Sequence, residues 1–488
     1  MVKRISPLTR IEGHLKVEVD VEGGKVKNAR ISGEMYRGFE NLLIGRHPLD
    51  AQRITQRVCG VCHEVHGIAS SKALADLYGI EPPPNGRLLK DIILALHMAL
   101  DHILHFFTLA LPDYVDFAVV AKYRGKDPRL NGMKEWVVSH RPYLYTKKVP
   151  GDYITDPSIG IELVANYVEA MNQLSYGSSA LAVLGGKAPF AHTVFPGGVS
   201  VEVTPDKLAK ISTIVDNIIE FVETRYIPSV VEVAGRYREY FRIGHGYMNL
   251  LSYGGFTATG KPLYQPGVMI EGKIHPLDVK LITEDVAHSY YDGRSMPFNK
   301  EKTQPHYGKR GAYSWIKAPR YNGHPLETGP ISRILVTKST REEFLSFLKK
   351  HFGVGMKEAF STNGRNLARA YEARLLLRYV NEALSMVKPG ESTITMIDMS
   401  KKVTGTGLGL SNAARGELLH YIEAENGRIT NYQMVVPSTW NFSPRDSKGQ
   451  PGPVEKAIEG APVRFKEGLI EVGRIIRSYD PCTACSIH

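Results

Sequence analysis

Cysteine is scarce in this 488-residue sequence, which contains only four. So few cysteines exclude a disulfide-stapled scaffold, and a chain of this length can bury a large core without staples. The four form two Cys-x-x-Cys pairs, Cys59/Cys62 and Cys482/Cys485, so none is left over for a second site. This spacing is typical of metal or redox sites.

Long uninterrupted apolar runs are also missing. The most apolar stretch, Ile92 to Leu111, is interrupted by Asp101 and by three histidines, His97, His102 and His105. Charged and polar groups at this density argue against a lipid-facing span, so we predict a buried core helix. Met1 to Pro7 leads into charged residues rather than a secretory signal. Export on a signal of its own is therefore not expected, whereas export together with a partner is.

A stripe of positive charge is missing as well, although the formal net charge is +11. Nucleic-acid-binding proteins gather their lysines and arginines into such a stripe, interleaved with aromatic residues, but here acids interrupt them throughout. We therefore expect no nucleic-acid partner. Two interpretations of the charge remain, docking to an acidic partner and a generally basic solvated surface.

The hydrophobic pattern predicts a mainly α (α+β) fold with small antiparallel sheets near both ends. A β-hairpin is expected at about residues 14–32 and a second one around Asn426-Gly427, with an irregular region near 247–328. The length allows two to four domains or one large multi-helix domain. The glycines at 405, 407 and 409 lack the G-x-G-x-x-G spacing of a phosphate cradle and predict a flexible loop. Helical periodicity covers residues 51–117, 157–184, 205–241 and 341–384.

Three ordinary explanations compete for the cysteine pairs. Structural zinc sites usually place their two pairs 15–20 residues apart, whereas 420 positions separate Cys62 from Cys482. A thioredoxin-like motif needs one pair that opens a helix, and inert buried cysteines would not fall as two matched pairs. A metal site shared by both ends of the chain is favoured, since soft thiolates select transition metals over Mg or Ca.

The residues around the pairs carry a resemblance. The sequence reads RVCGVCHEVH at 57–66 and DPCTACSIH at 480–488, with RIEGH at 10–14, RGFE at 37–40, ARG at 414–416 and VPSTWN at 436–441. Taken together and in this order, these motifs resemble the large subunit of nickel-iron hydrogenases, most closely the group 1, uptake-type branch. The resemblance implies one large-subunit domain over 1–488, with a C-terminal hairpin and metal-ligand tail at about 415–488. It also implies reversible cleavage of H2 to protons and electrons.

The resemblance implies the metal ligands as well. Cys59 and Cys482 would be terminal thiolates on nickel, and Cys62 and Cys485 would bridge nickel and iron. The iron would carry carbon monoxide and cyanide ligands, which maturation proteins install because no side chain supplies them.

Further roles follow from the resemblance. Cys482 and then Glu12 would take the proton released from H2, and Arg415 would lie over the open face of the metals, held by Asp101 and Asp480. Ala414 stands where many relatives have proline. Further positions implied to line the centre are His66, bonded to a bridging sulfur, and Pro437 and Ser438, in contact with the diatomic ligands. The implied magnesium site consists of Glu40, the main-chain carbonyl of Met434, and His488.

The partners are implied by what the chain lacks. All four cysteines are committed, so none remains for an iron-sulfur cluster, and a separate small subunit must carry the electrons away. We expect an obligate heterodimer with a large apolar interface near the site, compatible with a higher oligomer and a membrane electron-acceptor subunit. The resemblance favours a membrane-associated enzyme on the outer, periplasmic face, co-exported with the small subunit; the alternative is cytoplasmic. Ending at His488 indicates a processed chain or one encoded without a C-terminal extension.

Two rival functions stay open on sequence grounds. A non-catalytic relative, the quinone-pocket subunit of respiratory complex I, shares the implied fold but lacks these thiolates. A zinc-stabilised structural or nucleic-acid-binding protein is the second rival. The four cysteines argue against the first, and the metal content of the protein separates the second from a hydrogenase.

Overall fold

The structure is a computed structural model that describes residues 1–140, 149–398, 400–465 and 467–488. Helix is the predominant secondary structure. The α-helices are α1 Phe39–Leu43, α2 Asp50–Thr55, α3 His63–Tyr78, α4 Pro84–Leu104, α5 Pro128–His140, α6 Pro157–Gly185, α7 Pro205–Phe221, α8 Ile227–Arg236, α9 Pro330–Val336, α10 Lys338–Phe352, α11 Met356–Ala359, α12 Thr362–Met386, α13 Pro437–Asn441, α14 Pro453–Ile458, α15 Ile470–Ser478 and α16 Thr483–Ser486.

The strands form small antiparallel sheets. They are β1 Val2–Ile5, β2 Leu15–Glu22, β3 Lys25–Gly33, β4 Val194–Phe195, β5 Gly198–Val199, β6 Leu250–Gly255, β7 Tyr264–Ile270, β8 Lys273–His275, β9 Ile282–Asp285, β10 Met296–Pro297, β11 Ala318–Tyr321, β12 Gly405–Ala413, β13 Gly416–Glu425 and β14 Arg428–Val435. Their orders within the sheets are β1-β2-β3, β4-β5, β6-β7-β8, β10-β9-β11 and β12-β13-β14. The predicted mainly α fold with small sheets near both ends is confirmed.

Both predicted hairpins are present. In the first, β2 pairs with β3 and places Leu15, Val17 and Val19 on its buried face, as the alternation of apolar and polar residues requires. In the second, β13 and β14 are joined at Asn426 and Gly427, which both have positive φ, 50° and 74°. Turns of that kind match the twist of the paired strands and favour Asn-Gly.

The glycine-rich segment is a strand rather than the flexible loop that its composition predicts. It forms β12, which packs directly on α3. A β-carbon on Gly407 would lie 2.1 Å from the carbonyl oxygen of Ala73, and one on Gly409 would lie 2.1 Å from that of Ala69. The glycines therefore let a strand and a helix backbone approach each other, a use that needs no flexibility.

The predicted core helix is α4, which packs against α12 and α6. Pro84 occupies its first turn, where the missing N–H costs nothing. Within the described residues, one helical stretch, Pro84–Asp113, is long and apolar enough to cross a membrane, and 83% of its most apolar window is buried inside the protein. This burial agrees with a core helix. Asp101 is one of the buried residues of α4.

The two ends of the chain meet. The amide of Glu12 donates to the carbonyl of Pro481 at 3.2 Å, and the amide of Thr483 donates to the carbonyl of Glu12 at 2.7 Å. Between these bonds Gly13 has a φ of 87°, and a β-carbon there would lie 2.6 Å from the amide nitrogen of Ala484. The glycine of the RIEGH motif thus permits the contact that brings the C-terminal tail to the first cysteine pair.

Candidate metal centre

The four cysteines converge on one buried point. Their sulfur atoms all lie within 4.8 Å of one another, and each side chain is at least 95% buried. The Sγ–Sγ distances are 3.5 Å for Cys59–Cys482, 2.9 Å for Cys62–Cys485 and 2.8 Å for Cys482–Cys485. These exceed the roughly 2.05 Å of a disulfide, so all four sulfurs are available as ligands.

Short structural elements hold the sulfurs in place. Cys62 immediately precedes α3, and Cys482 immediately precedes α16. The sulfur of Cys59 accepts the amide of Val61 at 3.3 Å and the amide of Cys62 at 3.2 Å. The hydroxyl of Ser438, at the start of α13, accepts the amide of Cys482 at 3.0 Å. Ser438 therefore holds the main chain of Cys482 in position. Pro437, the residue before Ser438, is also buried.

The charge balance of the sulfurs calls for a cation. Burial raises the pKa of the Cys62 and Cys485 thiols well above the ordinary value. Burial acts on Cys59 too, but hydrogen bonds from the other thiols, aided by the charge of Arg415, hold the pKa of Cys59 well below its usual range. The protein alone therefore favours one thiolate among four thiols. A bound transition-metal centre would supply the positive charge that deprotonates the others, so the donor set fits a soft metal.

Arg415 lies beside the sulfurs at the tip of the hairpin formed by β12 and β13. Its side chain is 4% exposed and forms ion pairs on two sides, with Asp101 of α4 at 3.4 Å and Asp480 at 3.2 Å. The side-chain amide of Asn441 donates to the main-chain oxygen of Arg415 at 3.5 Å. The structure thus brings together Arg415 and both acids predicted to hold it, and it adds Asn441. The adjacent Ala414 is fully buried.

The two acids do not carry equal charge. Burial raises the pKa of Asp101 to about 8 in spite of Arg415, whereas Arg415, His105 and Arg369 together outweigh burial and lower the pKa of Asp480. Asp480 is therefore the stronger acid of the two and carries more of the negative charge that balances the guanidinium at neutral pH. The pKa values of the two carboxyls differ because ionising both beside a single cation would leave a buried excess of negative charge.

Glu12 links the centre to the surface. Its main chain pairs with Cys482, and its side chain is half-buried while the neighbouring His14 is exposed. Burial, with a contribution from Cys59, raises the pKa of Glu12, and Arg415 and Arg37 oppose the shift. A raised pKa makes this carboxyl a stronger base than an ordinary glutamate and so a better acceptor of a proton.

Arg37 is a site residue to which sequence reasoning assigned no role. Its guanidinium donates to the carbonyl of Val58, to that of Arg57 at 3.2 Å and to that of Ala484 at 3.3 Å. It therefore clamps the two cysteine-bearing segments to each other. The RGFE motif pointed to this arginine, but its partners are main-chain carbonyls, which leave no mark in a sequence.

His66 lies one helical turn after Cys62 and belongs to a buried chain of polar groups. Its Nδ1 is 3.1 Å from Nε2 of His420, whose Nδ1 is 2.7 Å from the hydroxyl of Tyr432. Burial lowers the pKa of His66 to about 4 and holds the pKa of His420 well below its usual value, which favours the neutral form of both rings. The described hydrogen bonds of His66 run to His420 and, through it, to Tyr432, two residues that sequence reasoning did not predict.

The residues predicted to bind magnesium also lie together. Oε1 of Glu40 accepts the amide of Met434 at 2.8 Å and lies 3.1 Å from Nε2 of His488. The ammonium of Lys317 lies 3.3 Å from Oε2 of Glu40. Although burial opposes it, Lys317 and His488 hold the pKa of Glu40 well below its usual range. Sequence reasoning missed this lysine, which lies 277 positions away.

Further acids share the lysine. The Lys317 ammonium is 3.5 Å from Glu284 and 3.3 Å from Glu301, and both acids are buried. Three carboxyls around one ammonium leave a surplus of negative charge. Burial and the neighbouring acids therefore raise the pKa of Glu284 well above its usual range.

Comparison with known proteins places these features in a family. The family model described as nickel-dependent hydrogenase matches residues 37–147 and 141–488, and a model described as HoxL-like matches residues 4–32. The chain is 35% identical to the periplasmic [NiFeSe] hydrogenase large subunit of Desulfomicrobium baculatum, over 99% of this chain and 94% of that protein. It is 32% identical to the hydrogenase-2 large chain of Escherichia coli K12, over 99% and 96%.

Other comparisons agree. The quinone-reactive Ni/Fe-hydrogenase large chain of Wolinella succinogenes is 30% identical, over 100% of this chain and 96% of that one. The solved structure of the Ni-Fe-Se hydrogenase from D. vulgaris Hildenborough in the reduced state superposes with a TM-score of 0.90 at 35% identity, and each chain is covered completely. Two of these relatives contain selenium by name, whereas cysteine stands at all four sulfur positions here.

Proposed function

Because this chain belongs to the nickel-dependent hydrogenase family as a large subunit, we propose that its four converging thiols hold a Ni–Fe centre at which H2 is oxidised. The observation that carries this function is the meeting of Cys59, Cys62, Cys482 and Cys485 within 4.8 Å beside the buried Arg415. The chemistry that such a centre supplies when bound, with carbon monoxide and cyanide on its iron, is heterolytic cleavage of H2 into protons and electrons.

The sulfurs divide into two kinds in this proposal. Cys59 and Cys482 would each hold nickel alone, and Cys62 and Cys485 would hold both nickel and iron. The positions of the cysteines in the two Cys-x-x-Cys motifs support this division, with the first cysteine of each pair in one role and the second in the other. The Sγ–Sγ distances do not separate the two kinds, because Cys62–Cys485 at 2.9 Å and Cys482–Cys485 at 2.8 Å are alike.

Protons leave by way of Glu12. Cys482 receives the proton first, and Glu12, whose main chain lies against Cys482, passes it toward the exposed surface at His14. The raised pKa of Glu12 suits this role because a relay must bind and release protons at the working pH.

Arg415 has an electrostatic role. It is a fixed cation held between Asp101 and Asp480, and it cannot lose its proton. A preorganised charge of this kind stabilises negative charge that develops next to it without any reorganisation during the reaction.

Replacement of Glu12 by glutamine tests the relay. We expect Glu12→Gln to lower H2-dependent dye reduction by roughly 10²–10⁴-fold, since an amide neither gains nor loses a proton at neutral pH. The nickel and iron content should stay unchanged, because the side chain of Glu12 holds neither metal. Dye reduction by the purified heterodimer and elemental analysis measure the two quantities.

Glu18→Gln is the matched control. Glu18 lies on β2 of the same N-terminal region and pairs with Arg4 at 2.5 Å on the surface. It should retain full activity. If Glu12→Gln were as active as Glu18→Gln, Glu12 would have no place in the proton path.

A magnesium ion is proposed at the second buried cluster, held by Glu40, the main-chain carbonyl of Met434, and His488. The surplus of carboxyls around Lys317 supports a second cation there, and carboxylate and carbonyl oxygens suit a hard ion. The ion would fix the C-terminus, since His488 also lies 2.7 Å from the carbonyl of Cys485.

Glu40→Gln should release this magnesium and lower the melting temperature. Breaking a buried ion pair typically costs about 3–5 kcal/mol, and the cost should be smaller here because Glu284 and Glu301 remain beside Lys317. Elemental analysis and thermal unfolding measure both effects. The control is Glu455→Gln, another buried acid, which accepts the amide of Ile31 at 3.0 Å. Full magnesium content in Glu40→Gln would rule out this site.

Electrons must leave through a partner, because every cysteine of this chain is used at one site. We propose an iron-sulfur small subunit that covers the surface beside the centre, where Met35, Leu42 and Ile44 are 44%, 48% and 47% exposed. Such apolar side chains on one short segment are typical of a protein interface. The relatives named periplasmic and quinone-reactive support a location at the outer face of a membrane, reached together with that partner.

A further inference from the structure

A half-open pocket of about 480 Å³ lies away from the metal centre, between α3, α4 and the β6–β7 hairpin. Lys72 of α3 and Lys90 of α4 line it. Lys72 is ten residues beyond Cys62, and Lys90 is eleven residues before Asp101. At 1.5 Å per residue these separations are about 15 Å and 16.5 Å. The pocket therefore occupies the end of both helices that is remote from the sulfurs.

The two lysines carry more donors than the protein satisfies. The ammonium of Lys90, 5% exposed, donates to the carbonyl of Pro196 at 2.9 Å, and that of Lys72 donates to the carbonyl of Leu410 at 3.2 Å. Among the described residues, neither ammonium has a carboxylate oxygen within 4.0 Å. Each ammonium has three N–H donors, and each of these described bonds uses one of them.

The acid nearest to them is already engaged. Asp91 also lines the pocket, but its Oδ2 accepts the hydroxyl of Tyr379 at 2.7 Å and the amide of Ala258 at 3.1 Å. Arg87 adds a third cation at the rim, where its half-exposed side chain pairs only loosely with Glu81, at 3.9 Å. Positive charge is thus in excess in this half-open pocket, and for the buried Lys90 that arrangement costs free energy unless an anion joins it.

The unfavourable burial of positive charge lowers the pKa of Lys90. Burial, followed by repulsion from Lys72, lowers the pKa of Lys90 to about 7. An anion between the two ammonium groups would remove the repulsion and restore both charges.

The rest of the wall is apolar and aromatic. It is formed mainly by Tyr253, Phe256, Pro262, Tyr264 and Pro266. Phe256 has a φ of 56°, in the left-handed region that side chains other than glycine seldom adopt. A wall of this kind suits a planar or apolar body, and the volume falls in the range of small-molecule sites, roughly 300–1,000 Å³.

We propose that this pocket binds a small organic oxyanion, a carboxylate or phosphate carried on an apolar or aromatic body. The anionic group lies between Lys72 and Lys90 with Arg87 at the entrance, and the body packs against the aromatic wall. The proposal does not depend on the reaction at the metal centre, because the pocket and the centre share no residue.

Calorimetric titration of the purified heterodimer tests this proposal, with phenyl phosphate, benzoate and inorganic phosphate as probes. We expect phenyl phosphate or benzoate to bind with a Kd of about 1 mM or tighter. The probe that binds better identifies the preferred oxyanion. Inorganic phosphate should bind at least about 10-fold more weakly than phenyl phosphate, because it lacks the body that fills the apolar wall.

The variants decide whether binding is at this pocket. The double variant Lys72→Met, Lys90→Met should weaken binding at least about 10-fold, and Arg87→Met about 3-fold or more. Lys273→Met, an exposed lysine on β8, should bind like the parent. Should the double variant fail to fold, Arg87→Met decides alone, since its side chain is at the rim. Absence of binding by the parent at about 10 mM, or equal binding by parent and pocket variants, would overturn the proposal.

Discussion

Cys482→Ser should abolish H2 uptake and leave the protein without its full complement of nickel. A serine hydroxyl is a hard and weakly acidic donor, whereas nickel in this centre needs a soft thiolate. Cys482 is 1% exposed and lies 2.8 Å from the sulfur of Cys485, so no other side chain can move in to replace it. The loss should exceed the roughly 10–100-fold effect typical of changes to groups that only support a ligand. Uptake assays and elemental analysis on the same preparation measure both effects.

The matched control is a residue of α16, the short helix that directly follows Cys482. Ser486 of α16 is also buried, and its hydroxyl donates to the carbonyl of Thr483 at 3.0 Å without touching a sulfur. Ser486→Ala should keep nickel and activity, with a stability loss of about 1 kcal/mol. Normal nickel content and uptake in Cys482→Ser would show that the tail pair is not a metal ligand.

Arg415→Lys should slow H2 oxidation by roughly 10²–10³-fold while the metals stay bound. The guanidinium of Arg415 reaches Asp101 at 3.4 Å and Asp480 at 3.2 Å with two different nitrogens. A lysine offers a single point charge that cannot span both acids, so the cation would move away from its position beside the sulfurs. Removal of one preorganised electrostatic contact of this kind typically costs about 2.7–4 kcal/mol in the transition state.

A second buried arginine separates the electrostatic effect from general damage. Arg320 is 4% exposed and pairs with Asp446 at 2.7 Å, and it belongs to neither cysteine segment. Arg320→Lys should lower stability but leave the rate per assembled centre near that of the parent. Equal losses of that rate in both variants would remove the special role of Arg415.

Local patterns in the sequence predicted the elements of this fold where one period dominates. Alternation of Leu15, Val17 and Val19 predicted β2, and Asn426-Gly427 predicted the turn before β14, because each reflects a rule that acts within a few residues. The glycines at 407 and 409 led to the wrong prediction. Glycine is required at these positions because the backbone of α3 packs against them. Since α3 lies more than 300 positions away in the sequence, no local pattern reveals this contact.

In the candidate site too, some residues could be predicted from local motifs and others could not. Its sulfurs could be identified from their spacing and flanking motifs, since metal ligands must be particular residue types. The groups that hold the site together could not. Arg37 and Asn441 bind main-chain carbonyls, and Lys317 meets Glu40 only after folding. Any segment can present a carbonyl, so such partners leave no signature in composition or spacing.

Elemental analysis of the purified, active heterodimer tests the central claim most directly, because it asks what the four sulfurs bind. The account predicts about one nickel and one iron per large subunit beyond the iron of the partner's clusters, with infrared bands from carbon monoxide and cyanide that disappear together with nickel in Cys482→Ser. Zinc alone at this site, with no nickel in the parent protein, would contradict the account.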